Sequence, residues 1–276
     1  MAPVTRLNDV LEAVQRARQN APNFCTNFFP VEPVLRLWIQ QGDLSARSEA
    51  GCAFFLRRDR DFFHFYFAAP EAAALGRGLA ALDDIHSEPV VVDLIGRPES
   101  WQPLAAVFAG CRFRPYRRLV RLARAAKPLP PLIPRDTPPP PVVWPDEAES
   151  GRVLELIEQF FDRYSDQLPT LDQVRAAVAA HQILAVKVGG ELAALLFYET
   201  QGLTSLLRYW LVARPHESRG FGSALLREYL GSQTTVRRFL LWVAAQNERA
   251  MGKYLQYGYA ADGLEDEIMV NERITA

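Results

Sequence analysis

The chain has 276 residues, 49% of them apolar and 11% aromatic, which is enough for sizeable cores and long for a single domain. Its 31 basic and 32 acidic side chains leave a net charge of -1, which removes the electrostatic case for nucleic-acid binding. Cys25, Cys52 and Cys111 are too widely spaced for a zinc knuckle or a disulfide framework. Free thiols, no apolar leader and no run of membrane-spanning length together predict a soluble cytoplasmic protein.

Residues 7–17 place Leu7, Val10, Leu11 and Val14 at helical spacing. A second helix is expected over 31–40, with Leu35, Trp38 and Ile39 on one face. Aromatic strands follow at 53–56 and 62–67 around the charged turn 57–61. A helix over 72–82, a buried strand over 90–95, a short helix over 101–108 and a strand over 116–122 complete this half. His64, between Phe63 and Phe65, reads as a structural histidine of a sheet face. Arg112, Arg114, Arg117, Arg118, Arg121 and Arg124 read most simply as the solvated side of an edge strand.

From 127 to 145 prolines dominate, and such a segment sustains neither helix nor central strand. It predicts a semi-rigid spacer over 127–141, with one domain over 1–126 and another over 142–276.

Beyond the spacer, helices are expected over 152–163 and 171–180, the latter capped by Thr170. Strands over 183–188 and 192–199 flank the hairpin turn Gly189-Gly190. A strand over 204–212, a helix over 223–230, a strand over 239–243, a helix over 248–256 and a strand over 267–270 follow. The two halves repeat one order of elements, a duplication of topology rather than of sequence.

The most informative stretch is 212–226. An apolar strand ends at Val212, a polar turn carries Gly220 and Gly222, and an amphipathic helix begins. Glycines there let the backbone approach a ligand, and the free N–H groups of the helix start favour an anion such as phosphate. The first half has no such turn after Phe67, where Ala68-Ala69-Pro70-Glu71 stands instead. About 25 residues after the glycines come Asn247, Ala250, Tyr254, Gly258 and Tyr259.

These two groups resemble the signatures of the GNAT superfamily of N-acetyltransferases. Gly220 and Gly222 fall on the glycines of its R/Q-x-x-G-x-G/A turn. Asn247, Ala250 and Tyr254 fall on its Asn-x-x-Ala-x-x-x-Tyr helix, and Gly258-Tyr259 stands for Gly-Phe. The resemblance covers residues 142–276 and implies an α/β (α+β) chain of two tandem GNAT-like domains. Each would be a mixed, mostly antiparallel sheet flanked by helices, the first a degenerate copy. Glu217 departs from the pattern by taking the place of Arg or Gln, so that either Arg219 compensates or the backbone carries the binding. Pro215 stands one place late.

The resemblance implies transfer of an acetyl or other acyl group from acyl-coenzyme A to an amine, without a metal. The N–H groups of Ser218, Arg219, Gly220, Phe221, Gly222 and Ser223 would hold the pyrophosphate, with Glu217 in the same cofactor-binding turn. Leu211, Val212 and Ala213 would bind the pantetheine amides and polarise the thioester, and Asn247 would bond the pantetheine arm. Tyr254 would give a proton to the departing thiolate, unless it is a half-buried core aromatic. Glu199 is the candidate base through water, or a solvent-facing carboxylate at a strand end. Arg208 or Tyr209 would face the acceptor, and His216 reads as a surface residue of the turn. A non-catalytic acyl-coenzyme A sensor is the competing reading. Neither nucleic acid nor membrane is an expected partner. The acceptor's identity and the choice of monomer or homodimer stay open.

Overall fold

The computed structural model describes residues 1–129 and 141–275. The proline-rich spacer expected over 127–141 therefore lies mostly outside the described residues. In chain order the strands are β1 (Ala2–Pro3), β2 (Cys25–Thr26), β3 (Leu44–Glu49), β4 (Cys52–Asp59), β5 (Phe62–Ala69), β6 (Val90–Gly96) and β7 (Phe113–Ala125), then β8 (Val142–Val143), β9 (Ile183–Val188), β10 (Glu191–Gln201), β11 (Thr204–Val212), β12 (Arg238–Ala244) and β13 (Ala260–Asn271). The helices are α1 (Leu7–Arg18), α2 (Glu32–Gln41), α3 (Ala72–Ala80), α4 (Pro98–Gly110), α5 (Ser150–Phe160), α6 (Leu171–Ala179), α7 (Phe221–Ser232) and α8 (Glu248–Gln256). The three cysteines are free. No helix among the described residues is long and apolar enough to cross a membrane.

The chain forms two compact units, Met1–Leu119 with Gly263–Ala276, and Val120–Asp262. This differs from the division expected at residues 126 and 142. From Gly263 on, the last strand counts with the first unit, where it pairs antiparallel with β6 from Glu265↔Gly96 to Val270↔Val91. Setting aside the two-residue strands β1, β2 and β8, each half of the sequence runs two helices, three strands, helix, strand, helix, strand. The similarity of the halves includes β3, which the sequence reading omitted.

In unit 1 the hairpin β4–β5 turns at Arg60-Asp61 alone, because Arg57 to Asp59 continue pairing with Phe62 to His64. One face of this sheet packs Phe54, Phe65 and Phe67 against Leu75 of α3 and Phe108 of α4. The other packs Phe55, Leu35 and Val10 with α1 and α2. His64 is buried on that second face, its Nε2 3.4 Å from Asp59 and its Nδ1 3.4 Å from Asp93. The arginines from Arg112 to Arg124 do not form one solvated stripe: Arg112 and Arg118 are exposed, Arg121 is mostly covered and Arg124 is buried. In unit 1 Arg112 pairs with Glu272, Arg114 donates to the Ile274 carbonyl at 2.8 Å, and Arg118 lies 2.7 Å from Glu267. In unit 2 Arg121 pairs with Asp262, and buried Arg124 donates to the Tyr257 carbonyl at 2.7 Å. Partners some 140 residues away were invisible to a local pattern.

Unit 2 follows its sequence signals closely. Thr170 and Gln173 form a reciprocal capping box at the start of α6. Gly189 and Gly190 both take positive φ, at 61° and 88°, as a two-residue hairpin turn requires. Between β10 and β11 the register shifts, with Phe197↔Tyr209 followed by Tyr198↔Leu207, so Arg208 bulges without an opposite residue. The bulge reverses which face each side chain meets. Leu207 lies in the core under α7, whereas Tyr209 and Leu211, two and four residues on, lie in the core under α5 and α6. Trp210 and Val212 are thereby turned towards α7 and α8.

Candidate active site

The parallel pairing of β11 with β12 covers only Thr204↔Arg238 to Leu207↔Leu241. Both strands run on, to Val212 and Ala244, without pairing each other. The split opens the backbone edge of β11 at Trp210, Leu211 and Val212, and these residues line a cavity of about 540 Å³.

The turn after β11 supplies a second wall. Ser218 has φ 64° and Gly220 has φ 90°, two left-handed residues flanking Arg219, and α7 starts directly at Phe221. Left-handed residues in such a turn bring successive N–H groups together as an anion-binding concavity, and the helix dipole adds partial positive charge. Glu217, Ser218, Gly220, Phe221, Gly222 and Ser223 all line the cavity. Gly222 is required for a different reason. A Cβ there would lie 3.0 Å from Cζ2 of Trp210, whose indole Nε1 donates to the Gly222 carbonyl at 3.2 Å.

The third wall is α8. Asn247 caps it, its Oδ1 accepting from the Ala250 N–H at 3.1 Å, and it lines the cavity with Arg249, Ala250 and Lys253. The helix ends in a Schellman turn. Gly258 at φ 81° donates to the Leu255 carbonyl at 3.0 Å, and Tyr259 donates to the Tyr254 carbonyl at 3.2 Å. That geometry explains the glycine of the Gly258-Tyr259 pair.

Glu217 is the expected obstacle to an anion, and the structure resolves it. Its carboxylate lies 2.9 Å from Arg249 Nη1. Arg219 instead reaches His216 Nδ1 at 2.9 Å and lies over the Phe221 ring. The compensating cation is Arg249 on α8, with Lys253 one turn further along the same helix. Neither was singled out from the sequence, although Lys253 stands one helical turn from both Arg249 and Ala250. Phe160 and Phe161, at the end of α5, close the remaining side and were also missed.

Of the residues expected at a cofactor, all but Ala213 and Arg219 line the cavity. The Ala213 N–H is used by the Ala193 carbonyl at 2.9 Å. The two catalytic candidates stand elsewhere. Tyr254 is 6% exposed, its ring 5.2 Å from that of Trp210 and 5.7 Å from that of Tyr259. Trp210 lines the cavity and Tyr254 does not. Burial raises the Tyr254 pKa, so the phenol keeps its proton at neutral pH. Glu199 is exposed, pairs with Arg208 at 3.6 Å, and faces Leu206 across the hairpin. Five residues separate Leu206 from Leu211, roughly 16 Å of strand. Arg208 and Tyr209 hold the loop after α5, Arg208 through the Gln167 carbonyl at 3.3 Å and Tyr209 through the same carbonyl at 2.7 Å. Among the described residues no group of three or more His, Cys, Asp or Glu is placed to hold a metal.

Residues 151–259 match the model of the Acetyltransferase (GNAT) family. The fold is similar to that of a GCN5-related N-acetyltransferase from Sphaerobacter thermophilus, at 19% identity and a TM-score of 0.61 over 100% of this chain and 95% of that one. It is also similar to a tandem GNAT protein from the clavulanic acid biosynthesis pathway, at 13% identity and a TM-score of 0.58 over 100% of this chain and 98% of that one. A GCN5-related N-acetyltransferase from Kribbella flavida gives 12% identity and a TM-score of 0.57 over 89% of this chain and 97% of that one. No curated protein matches the chain by sequence. At such identities the structural likeness speaks for a tandem GNAT fold.

Proposed function

From a chain whose residues 151–259 belong to the GNAT acetyltransferase family, we propose an acyl-coenzyme A-dependent N-acyltransferase with its site in unit 2. The observation that carries the reading is the continuity of the open β11 edge with the left-handed turn at Ser218 and Gly220. Extended amide groups fit a strand edge, and a pyrophosphate fits a concave array of N–H groups at a helix start. The N–H groups of residues 218–223 hold the pyrophosphate, with Arg249 and Lys253 balancing its charge. The edge at Leu211 and Val212, with the amide of Asn247, holds the pantetheine arm.

In the reaction the acceptor nitrogen bonds to the acyl carbon and the carbon–sulfur bond breaks. One proton leaves the nitrogen and one reaches the sulfur. Tyr254, whose phenol is protonated at neutral pH, is the donor to sulfur, and the role requires a movement that brings it to the cavity it does not line. Glu199 stands outside the cavity and receives no role.

Thermal shift with acetyl-coenzyme A, compared between the parent and Gly220→Glu, tests the cradle. Equal shifts would overturn it, since glutamate at a left-handed position beside the anion is doubly unfavourable. The absence of Tyr254 from the cavity lining favours the second reading, a non-catalytic acyl-coenzyme A sensor. Thiol release on a panel of amines separates the two, and binding without release on any amine would select the sensor.

A further inference from the structure

Unit 1 has the same split in its sheet. The parallel pairing of β5 with β6 covers Phe63↔Val90 and His64↔Val91 only, while β5 runs on to Ala69. A split of this kind exposes facing backbone edges, and burying them without partners is costly. In unit 1 the chain fills the split with itself. β4 occupies the opposite edge of β5 from Phe62 to Ala68, so β2, paired Cys25↔Ala69 and Thr26↔Ala68, takes the edge that β6 leaves.

The next residue spans the gap. Asn27 is buried, and its Nδ2 donates to the Phe65 carbonyl on β5 at 2.9 Å and to the Asp93 carbonyl on β6 at 3.1 Å. Its Oδ1 accepts from the Phe67 N–H at 2.8 Å, and the Thr26 hydroxyl donates to the Phe67 carbonyl at 2.6 Å. A carboxamide carries both donors and acceptors, so one side chain satisfies the edges of both strands. The turn that follows β5 differs as well. It passes through Pro70 and Glu71 into α3 with no left-handed residue, so no concave N–H array forms there.

We infer that unit 1 is a self-occupied copy of the cleft in unit 2, in which Asn27 and Thr26 take the backbone groups that a pantetheine amide would take, and that the chain therefore holds one acyl-coenzyme A. The inference rests on the reading of unit 2 given above.

Two measurements on the full chain test it. Calorimetric titration with acetyl-coenzyme A is expected to give one site per chain in the parent and none in Gly220→Glu. Two sites, or one retained in the variant, would overturn the inference. Amide exchange without ligand is expected to show Phe67 protected in the parent. In Asn27→Ala its exchange should accelerate about tenfold or more, the loss of one hydrogen bond's worth of protection. The amides that pair β4 with β5 should stay slow in that variant, which controls for unfolding. Rapid exchange of Phe67 in the parent would overturn the plug even if Asn27→Ala did not fold. A parent that binds nothing while Phe67 is protected would instead refute the reading of unit 2 and leave unit 1 closed.

Discussion

Arg249 Nη1 lies 2.9 Å from Glu217 Oε2, joining the start of α8 to the turn before α7. Both side chains are substantially exposed, so the pair adds little to folding stability. Its consequence is electrostatic. At the position where the family places a cation or an amide, this chain has a carboxylate and supplies the cation from another helix. Arg249→Ala is expected to weaken acetyl-coenzyme A binding about tenfold, because it leaves the carboxylate uncompensated beside the anion site. Glu217→Gln should strengthen binding. Both effects should shrink as salt is raised, since the groups are exposed. Titrations at two ionic strengths check all three statements, and a weaker complex in Glu217→Gln would contradict the assignment.

Gly222→Ala tests the contact between α7 and β11. The added methyl would sit 3.0 Å from the Trp210 ring, which must then move or force the helix away. A cost of about 1–3 kcal/mol in stability is expected from this overpacking. The acyl-coenzyme A site should weaken with it, because Trp210 lines the cavity. Denaturant unfolding followed by tryptophan fluorescence, with a titration of the ligand, would show whether the two losses occur together.

How much of this was legible in the sequence varies by element. The strands of residues 183–188 and 204–212 and the helix of 248–256 were placed correctly, because apolar periodicity, Gly189-Gly190 and the Asn247 cap all act locally. β3 was missed since Leu-Ser-Ala-Arg-Ser-Glu buries only Leu44 and shows no apolar alternation. Asn27 gave no signal, its partners being 38 to 66 residues away. The helical spacing of Asn247, Ala250 and Tyr254 correctly put three residues on related faces. It could not reveal that Trp210, beside Tyr254, lines the cavity while Tyr254 itself does not. Arg249 was passed over for the same reason, as its value depends on Glu217, 32 residues earlier.

Kinetics can separate the two residues first considered for catalysis. Tyr254→Phe is expected to lower kcat about 10²-fold with little change in KM or in folding stability, as befits a proton donor acting late in the reaction. Glu199→Gln should leave kcat/KM within about twofold of the parent, since its carboxylate is engaged with Arg208 away from the cavity. Steady-state thiol release on one accepted amine would measure both. A loss for Glu199→Gln matching that for Tyr254→Phe would place the acceptor at the far end of β11.

The buried polar cluster of unit 1 makes its stability depend on pH. Burial alone would lower the His64 pKa, but the carboxylates of Asp59 and Asp93, each 3.4 Å from the ring, outweigh it and the net shift is upward. Burial, with Asp93 beside it, holds the Asp266 carboxyl well above the usual carboxylate range. Both folded pKa values exceed the unfolded ones, so both groups bind protons more tightly in the native state. The contribution of His64 is complete below about pH 6.5, its unfolded value, and is lost as pH rises through its folded value. That of Asp266 is complete only below about pH 4 and is lost as pH rises through its own raised value. Unit 1 is therefore expected to weaken from neutral to alkaline pH. Asp266→Asn, which cannot ionise, should be more stable than the parent once pH exceeds the raised Asp266 value. Denaturant unfolding at pH 6, 7.5 and 9, followed by a probe in unit 1, measures this. A parent that gained stability over that range would show that His64 is neutral in the folded state.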